Sequence, residues 1–212
     1  MKYPEFAPAG TRRPAARTVL EIGFLLGLVL TIVLTAALWQ YRAVCDRVCR
    51  DTLRLHILAN SDTLEDQLLK LRVRDAVLEQ VAALTENAQD KQQAVQAVRA
   101  ALPTLRATAE QTVRAAHSSQ SVQCSLEQAE FAPRDYGTFR LPGGSYLALR
   151  IELGEAAGHN WFCVLYPALC VGSSDAEYAQ ADENALVFGE YRVRSALLDT
   201  ARAAWKALRQ TS

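Results

Sequence analysis

The chain has 212 residues, half of them apolar, and its 23 basic and 23 acidic residues give a formal net charge of zero. That length sets one main domain plus an appendage as the starting expectation, and a neutral chain lacks the electrostatic footprint of a nucleic-acid binder. The neutrality hides an asymmetry, because residues 1–42 hold Lys2, Arg12, Arg13, Arg17 and Arg42 against only Glu5 and Glu21.

The basic arm, residues 1–18, precedes an uninterrupted apolar stretch. No charge falls in residues 22–38, and residues 19–41 are long enough to cross a hydrocarbon core of about 30 Å. Trp39 and Tyr41 stand where an interfacial aromatic belt would lie, and Arg12, Arg13 and Arg17 keep the N-terminus on the cytoplasmic side. Residues 19–41 therefore read as an anchor in the lipid bilayer. A cleavable signal sequence is the competing reading, with the small residues "TAA" at 35–37 as its cleavage site. Both readings export residues 42–212.

In the exported part, Leu53, Leu55 and Ile57 alternate with Arg54 and His56, the pattern of a strand. A helix follows, with Ser61 or Asp62 as its cap and Glu65 completing a capping box with Asp62. It carries apolar residues on two sides: Leu64, Leu68, Leu71, Leu78 and Ala82 on one, Leu69, Val73, Val77 and Leu84 on the other. Such a helix is expected to pack on both. Asp75 sits within the first stripe. An Ala/Gln-rich stretch is interrupted by Pro103, which predicts two helices, 88–101 and 103–117.

The period then changes. Val122, Cys124 and Leu126 alternate with polar neighbours, and Leu147, Leu149, Ile151 and Leu153 form a second alternating strand after the hairpin signal "LPGG". "WFCVLY" has no polar face and reads as a central strand covered on both sides, ended by Pro167. Residues 172–184 are polar and acidic and read as mobile. Residues 190–210 read as an amphipathic helix that covers the sheet. The fold class is thus α+β: an N-terminal membrane or signal helix, then one domain with three to four helices on a mostly antiparallel sheet of about four strands.

The chemistry-bearing residues are few. Cys163 and His159 resemble a thiol nucleophile and its base, but four residues along a strand separate side chains by about 13 Å, and an apolar wall disfavours a thiolate. A metal site would need closer ligand pairs than Cys163 and Cys170 provide. Export and the turn at Pro167 favour a Cys163–Cys170 disulfide, with two inert buried thiols as the alternative. The pairing of Cys45, Cys49 and Cys124 stays open. Asp75 reads as a structural charge paired with Arg54, ahead of a catalytic acid. No phosphate loop, nucleophile elbow or zinc-protease motif is present in the sequence, and neither a cofactor nor a small-molecule substrate is expected. At the ends of the elements, Asn60, Asp62, His159, Asn160 and Trp161 are candidate partner contacts, or else simply caps and turn residues.

Two blocks carry a resemblance. "RLHILANSDTLEDQLLKLRVRDAVL" (54–78) and "LPGGSYLALRIELGEAAGHNWFCVLYPALC" (141–170), with the apolar N-terminal segment, resemble the stage II sporulation protein R family of endospore-forming bacteria. The matching positions include Arg54, His56, Asn60, Asp62, Lys70, Arg74, Asp75, Tyr146, Arg150, Gly158, Asn160, Trp161, Cys163 and Cys170. Phe162, Tyr166 and Ala168 depart from the usual pattern. The resemblance implies a non-enzymatic signal, made in the forespore and exported to the space between forespore and mother cell. There it would activate the membrane-embedded aspartic protease that processes the precursor of sigma factor E. The rival classes are an exported hydrolase using Cys163 or Asp75, and a structural septal membrane protein.

Overall fold

The computed structural model describes residues 14–169 and 178–188. The chain divides into two units, one formed by residues 42–192 and another to which the chain up to Tyr41 belongs. Helix α1 runs Pro14–Asp51 and is long and apolar enough, by length and composition, to cross a membrane. Before Tyr41 most of its large apolar side chains are exposed, Phe24 being 73% exposed, while Ala37 is buried. The hydroxyls of Thr31 and Thr35 donate back to the carbonyls of Gly27 and Thr31 at 2.8 and 2.7 Å, which satisfies them without water.

In the 42–192 unit the elements after α1 are β1 (Leu53–Leu58), α2 (Leu64–Thr85), α3 (Lys91–Ala115), β2 (Val122–Phe131), β3 (Arg134–Asp135), β4 (Arg140–Leu141), β5 (Gly144–Leu153), β6 (Asn160–Tyr166) and α4 (Ala181–Val187). Four strands form one sheet in the order β2-β5-β1-β6, and β3 pairs with β4 alone. β1 runs parallel to β5, while β2 with β5 and β1 with β6 are antiparallel. The fold is α+β with a mixed sheet.

One face of the sheet carries Leu53, Leu55, Ile57, Leu149, Ile151 and Leu165, which pack against α2 and α3. On α2 the buried apolar residues are Leu69, Val73, Val77 and Val81, one per turn. The helix is therefore packed on one side and not on two. Leu78 reaches the rim of the core, but Leu64 and Leu68 remain 76% and 47% exposed. The α2 cap also differs from expectation. Thr63 accepts from the Asp66 amide, because the Asp62 carboxylate is engaged by His159.

The expected break at Pro103 does not occur, and α3 is continuous. Pro103 lies on the exposed side, as does Arg99, whose carbonyl loses its donor. Water can satisfy that carbonyl, while Val98, Leu105, Ala109 and Val113 hold the other side in the core.

"WFCVLY" forms β6, an edge strand and not a central one. Both of its faces are nevertheless covered. Cys163 and Leu165 join the helix-side core, and Val164 joins a second cluster with Val48, Phe139, Leu141, Tyr178 and Val187. A run without a polar face reports coverage of faces, which an edge strand can also have.

Part of the acidic stretch read as mobile is built into that cluster. Tyr178 is buried, its hydroxyl 2.8 Å from the Thr52 hydroxyl. The Asn184 side chain bridges its backbone at 2.7 and 2.9 Å. Arg47 of α1 pairs with Asp182 and Glu183. Cys170, residues 171–177 and the predicted C-terminal helix lie outside the described residues.

Candidate functional site

The two sequence blocks that carry the family resemblance meet in space at a clasp between the β1–α2 loop and the β5–β6 loop. Asn60 donates to Asp66 Oδ2 at 2.9 Å and accepts from the Glu155 amide at 2.9 Å. The amides of Ala157 and Gly158 donate to the carbonyls of Asn60 and Ala59. Asp62 Oδ1 accepts from the His159 amide at 2.6 Å and lies 2.5 Å from His159 Nδ1. Two glycines permit this approach. A Cβ on Gly158 would stand 2.2 Å from the Ser61 carbonyl oxygen, and one on Gly154 (φ +58°) would stand 2.2 Å from Asn60 Oδ1.

Beneath the clasp lies a polar layer that the periodicity did not expose. Asp66 accepts from Ser61 at 2.5 Å, Asn60 at 2.9 Å and Gln120 at 2.5 Å. The Ser61 hydroxyl and the Asn60 amide hold its carboxyl below the usual carboxylate range. Lys70 donates to the His159 carbonyl at 2.8 Å and to Gln67 at 2.5 Å. Burial lowers its pKa, and the Asp62 charge opposes that shift. Asp66 and Lys70 fall on the same buried side of α2 as Leu69 and Val73. A charged pair in register with the apolar stripe was the signal that could have revealed them. Asp62 is held below its ordinary pKa, chiefly by the His159 hydrogen bond.

The predicted contacts thus separate. Asn60, Asp62 and His159 come together, and the Asn60 side chain is spent inside the clasp. Asp62 and His159 keep their side chains largely on the surface. Asn160 is exposed at the start of β6. Trp161 packs at the rim of the core with the Arg74 guanidinium 5.1 Å over its ring.

The sheet's other face was not foreseen as a site. Along it run Arg54 and His56 of β1, Tyr146, Ala148, Arg150 and Glu152 of β5, Ser125 and Glu127 of β2, and Asn160, Phe162 and Val164 of β6. One end is covered by Cys49, Phe131 and Tyr146. Here the predicted Arg54–Asp75 pair is corrected. Asp75 is exposed on α2 and pairs with its neighbour Arg74 at 2.7 Å. Arg54 is fully buried on the opposite face of the sheet from α2. Its guanidinium lies 3.9 Å over Phe131 and 4.9 Å over Tyr146, with Nη2 donating to the Tyr136 hydroxyl at 2.7 Å. Its Nε and Nη1 make no hydrogen bond. Aromatic faces stand where a carboxylate was expected.

Beside it His56 stacks on Phe162 at 4.6 Å. Burial first, and the Arg150 guanidinium next, lower the His56 pKa to about 4, so the ring is neutral at physiological pH. Arg150 is held by Glu127 at 3.1 Å and Glu152 at 2.6 Å.

None of this assembles a reacting centre from the residues that suggested one. Cys163 is fully buried on the helix-side face. Asp75 is bound to Arg74 at the surface. Among the described residues no three His, Cys, Asp or Glu side chains converge as a metal site would require, and no disulfide joins two of the described cysteines. A surface cleft of about 220 Å³ next to the clasp is lined by Leu68, Arg72, Ser118 and Gln120 among others.

Comparison with known proteins bears on the same two blocks. Residues 49–176 match the family described as Stage II sporulation protein R. The chain is 35% identical over 136 residues to "Stage II sporulation protein R" of Bacillus subtilis (strain 168), covering 63% of this chain and 61% of that relative. No solved structure matches the chain. With the family pattern spanning more than half of its length, the chain belongs to the stage II sporulation protein R family.

Proposed function

We propose that the chain is an exported sporulation signal, anchored in or delivered across the forespore membrane by residues 19–41. It binds a membrane-embedded aspartic protease from the space between forespore and mother cell and raises the protease's activity toward the precursor of sigma factor E. The chain itself carries out no chemistry. It acts by binding the active arrangement of the protease more tightly than the inactive one, which is all that a shift of populations requires.

The observation that carries this reading is the clasp. Residues far apart in sequence, Asn60 to Asp62 and Gly154 to His159, are locked by hydrogen bonds into one rigid surface feature. The arrangement is that of a shape to be recognised, with its polar groups spent on positioning. An N-terminal helix able to cross a membrane supports delivery outside the cytosol. The complete burial of Cys163 speaks against the hydrolase alternative that would use it. With Cys163 in the middle of β6 and the chain turning at Pro167 just after the strand, we also propose the Cys163–Cys170 disulfide as a clamp on this region.

The test uses sporulating cells that lack their own family member and express the full chain in the forespore. Precursor cleavage is expected to return, and to be lost when residues 19–41 are deleted. Cleavage without the chain, or equal activity of the deleted form, overturns the proposal. A folded Cys163→Ala variant is expected to remain active. In deletion cells supplied with the already processed sigma factor, sporulation is expected to resume; continued failure would favour a structural septal role.

A further inference from the structure

β2 is an edge strand. β5 lies on one side of it and, among the described residues, no strand pairs with it on the other. It is ten residues long and keeps register with β5 throughout, without a bulge. It holds neither proline nor lysine, two common protections of such an edge. The opposite edge, β6, is seven residues long, pairs with a register shift at Leu53/Arg54 and is followed by Pro167.

One bond sets the direction of the free backbone groups. Ser121 accepts from the Gly154 amide at 2.9 Å. The odd-numbered residues of β2 therefore bond to β5, and the even-numbered ones turn N–H and C=O to the open edge. The side chains of Val122, Cys124 and Leu126 face the helices, and those of Gln123, Ser125 and Glu127 face the other way. Beside Cys124 the edge opens on a cleft of about 490 Å³ lined by Leu102, Pro103, Arg106, Ala107 and Glu110 of α3. Arg106 and Glu110, paired at 2.9 Å, put both signs of charge on the cleft.

A strand added here needs outward backbone groups, apolar side chains toward the cleft and no carboxylate opposite Glu127. β2 of a second copy meets all three conditions. Antiparallel pairing about a two-fold axis sets even-numbered residues against even-numbered ones. An axis at Glu127 would oppose two carboxylates, and one at Leu126 would set Val122 against Glu130. An axis at Cys124 would carry Gln128 past the start of the partner strand at Val122. An axis at Ser125 sets Cys124 against Leu126 beside the cleft, and Gln123 against Glu127 on the other face. A contact between unlike edges, β2 on β6, would add molecules without end, whereas this one closes on itself.

We propose that the chain forms a two-fold dimer by antiparallel pairing of β2 with β2 about Ser125, which joins two four-stranded sheets into one. The two-fold also offers Arg106 of each copy the Glu110 of the other. The dimer stands apart from the signalling function proposed above, and either can fail without the other.

The experiment is disulfide crosslinking of the full chain in membranes of sporulating cells, read on non-reducing gels in a Cys124→Ser background, with the background chain as the blank. Ser125 and its copy form a non-hydrogen-bonded pair, whose short Cα separation of about 4.5 Å suits a disulfide. Ser125→Cys is expected to give a band at twice the mass of the chain. Gln123→Cys or Glu127→Cys alone places its two thiols about 13 Å apart and is expected to give none, while the two variants produced together crosslink to each other. Gln128→Pro removes an outward N–H and no bond to β5, so it is expected to abolish the Ser125→Cys band at an unchanged chain level by immunoblot. Absence of that band, or a band of another mass, overturns the dimer; the first result is the one expected if another part of the chain covers the edge, the second if a different protein does. Equal crosslinking by Gln123→Cys or Glu127→Cys alone overturns the register, and a band that survives Gln128→Pro overturns backbone pairing as the contact. Should the proline variant fail to accumulate, the three cysteine variants still decide.

Discussion

His159 and Asp62 are 97 positions apart in sequence and meet at 2.5 Å, the imidazole nitrogen against the carboxylate oxygen. The same carboxylate oxygen also takes the His159 amide. This double contact joins the start of α2 to the start of β6, and the buried carboxylate of Asp66 underlies it.

The acid side of the stability curve should report on Asp66. Its folded pKa lies below the ordinary value, so the stabilisation from its ionised form is complete above that ordinary value, near pH 4. It is lost as pH falls through the lower folded value. Asp66→Asn is expected to flatten this acid limb. At neutral pH the loss of charge-assisted acceptors for Ser61, Asn60 and Gln120 is expected to cost about 2–3 kcal/mol in denaturant unfolding. An acid limb unchanged from wild type would show that the clasp does not depend on this carboxylate.

Gly158 is expected to tolerate no side chain. The nearest neighbour of an added Cβ is backbone, the Ser61 carbonyl, which cannot swing aside as a side chain would. Gly158→Ala should lower stability by about 1–3 kcal/mol. It should also speed hydrogen exchange at the amides of residues 157–159, which donate across the clasp. Gly23→Ala, where a Cβ meets nothing within 4 Å, is the matched control and should behave as wild type.

Glu183 carries the opposite pH dependence. It is fully buried and raised to about 6, by burial first and by Asp51 next, with Arg47 opposing. A carboxyl whose folded pKa exceeds its unfolded one favours the folded chain at low pH, and that advantage is lost as pH rises from about 4.5 through 6. Glu183→Gln is therefore expected to stabilise the 42–192 unit by about 1 kcal/mol at pH 7.5 and to have little effect at pH 4. Thermal melts at the two pH values measure the difference. Equal effects at both would show that Glu183 does not titrate in this range.

The cysteine clamp is open to direct mapping. Digestion of the exported chain under non-reducing conditions should release a peptide linking Cys163 to Cys170. Closing so short a loop is expected to contribute about 2–3 kcal/mol, so Cys170→Ala should lower the melting temperature by several degrees. Recovery of both cysteines as alkylated thiols from the exported chain would refute the pairing.

The strands were legible because alternation survives in them. Leu53, Leu55 and Ile57, and Leu147 to Leu153, declare their buried face, and β1 and β5 follow. What alternation conceals is the state of the other face. Arg54 and His56 mark the other face only as the polar one, and Arg54 is wholly buried there, because Phe131, Tyr146 and Cys49 arrive from elsewhere in the chain to cover it. The same gap explains Asp75. Its position among leucines suggested burial, but that stripe of α2 is the one left exposed, and the carboxylate pairs locally with Arg74. Pro103 misled for a different reason. Proline removes one donor, and where the orphaned carbonyl faces water the helix can continue. The clasp was half legible. Asn60, Asp62 and His159 stood out as polar residues at element ends, but that they bond to one another depends on two loops brought together by the parallel pairing of β1 with β5.

That parallel pairing also sets an order of events. β1 lies between two partners, and both are made late: Leu53 pairs with Leu147 on one side and with Tyr166 on the other, roughly 90 residues or more downstream. A chain delivered N-terminus first, whether from the ribosome or through a membrane pore, holds its innermost strand without neighbours until nearly the whole domain has emerged. The helices between can form early, but the sheet closes in a single late step, so a truncation before residue 160 should leave no smaller folded version of the molecule behind.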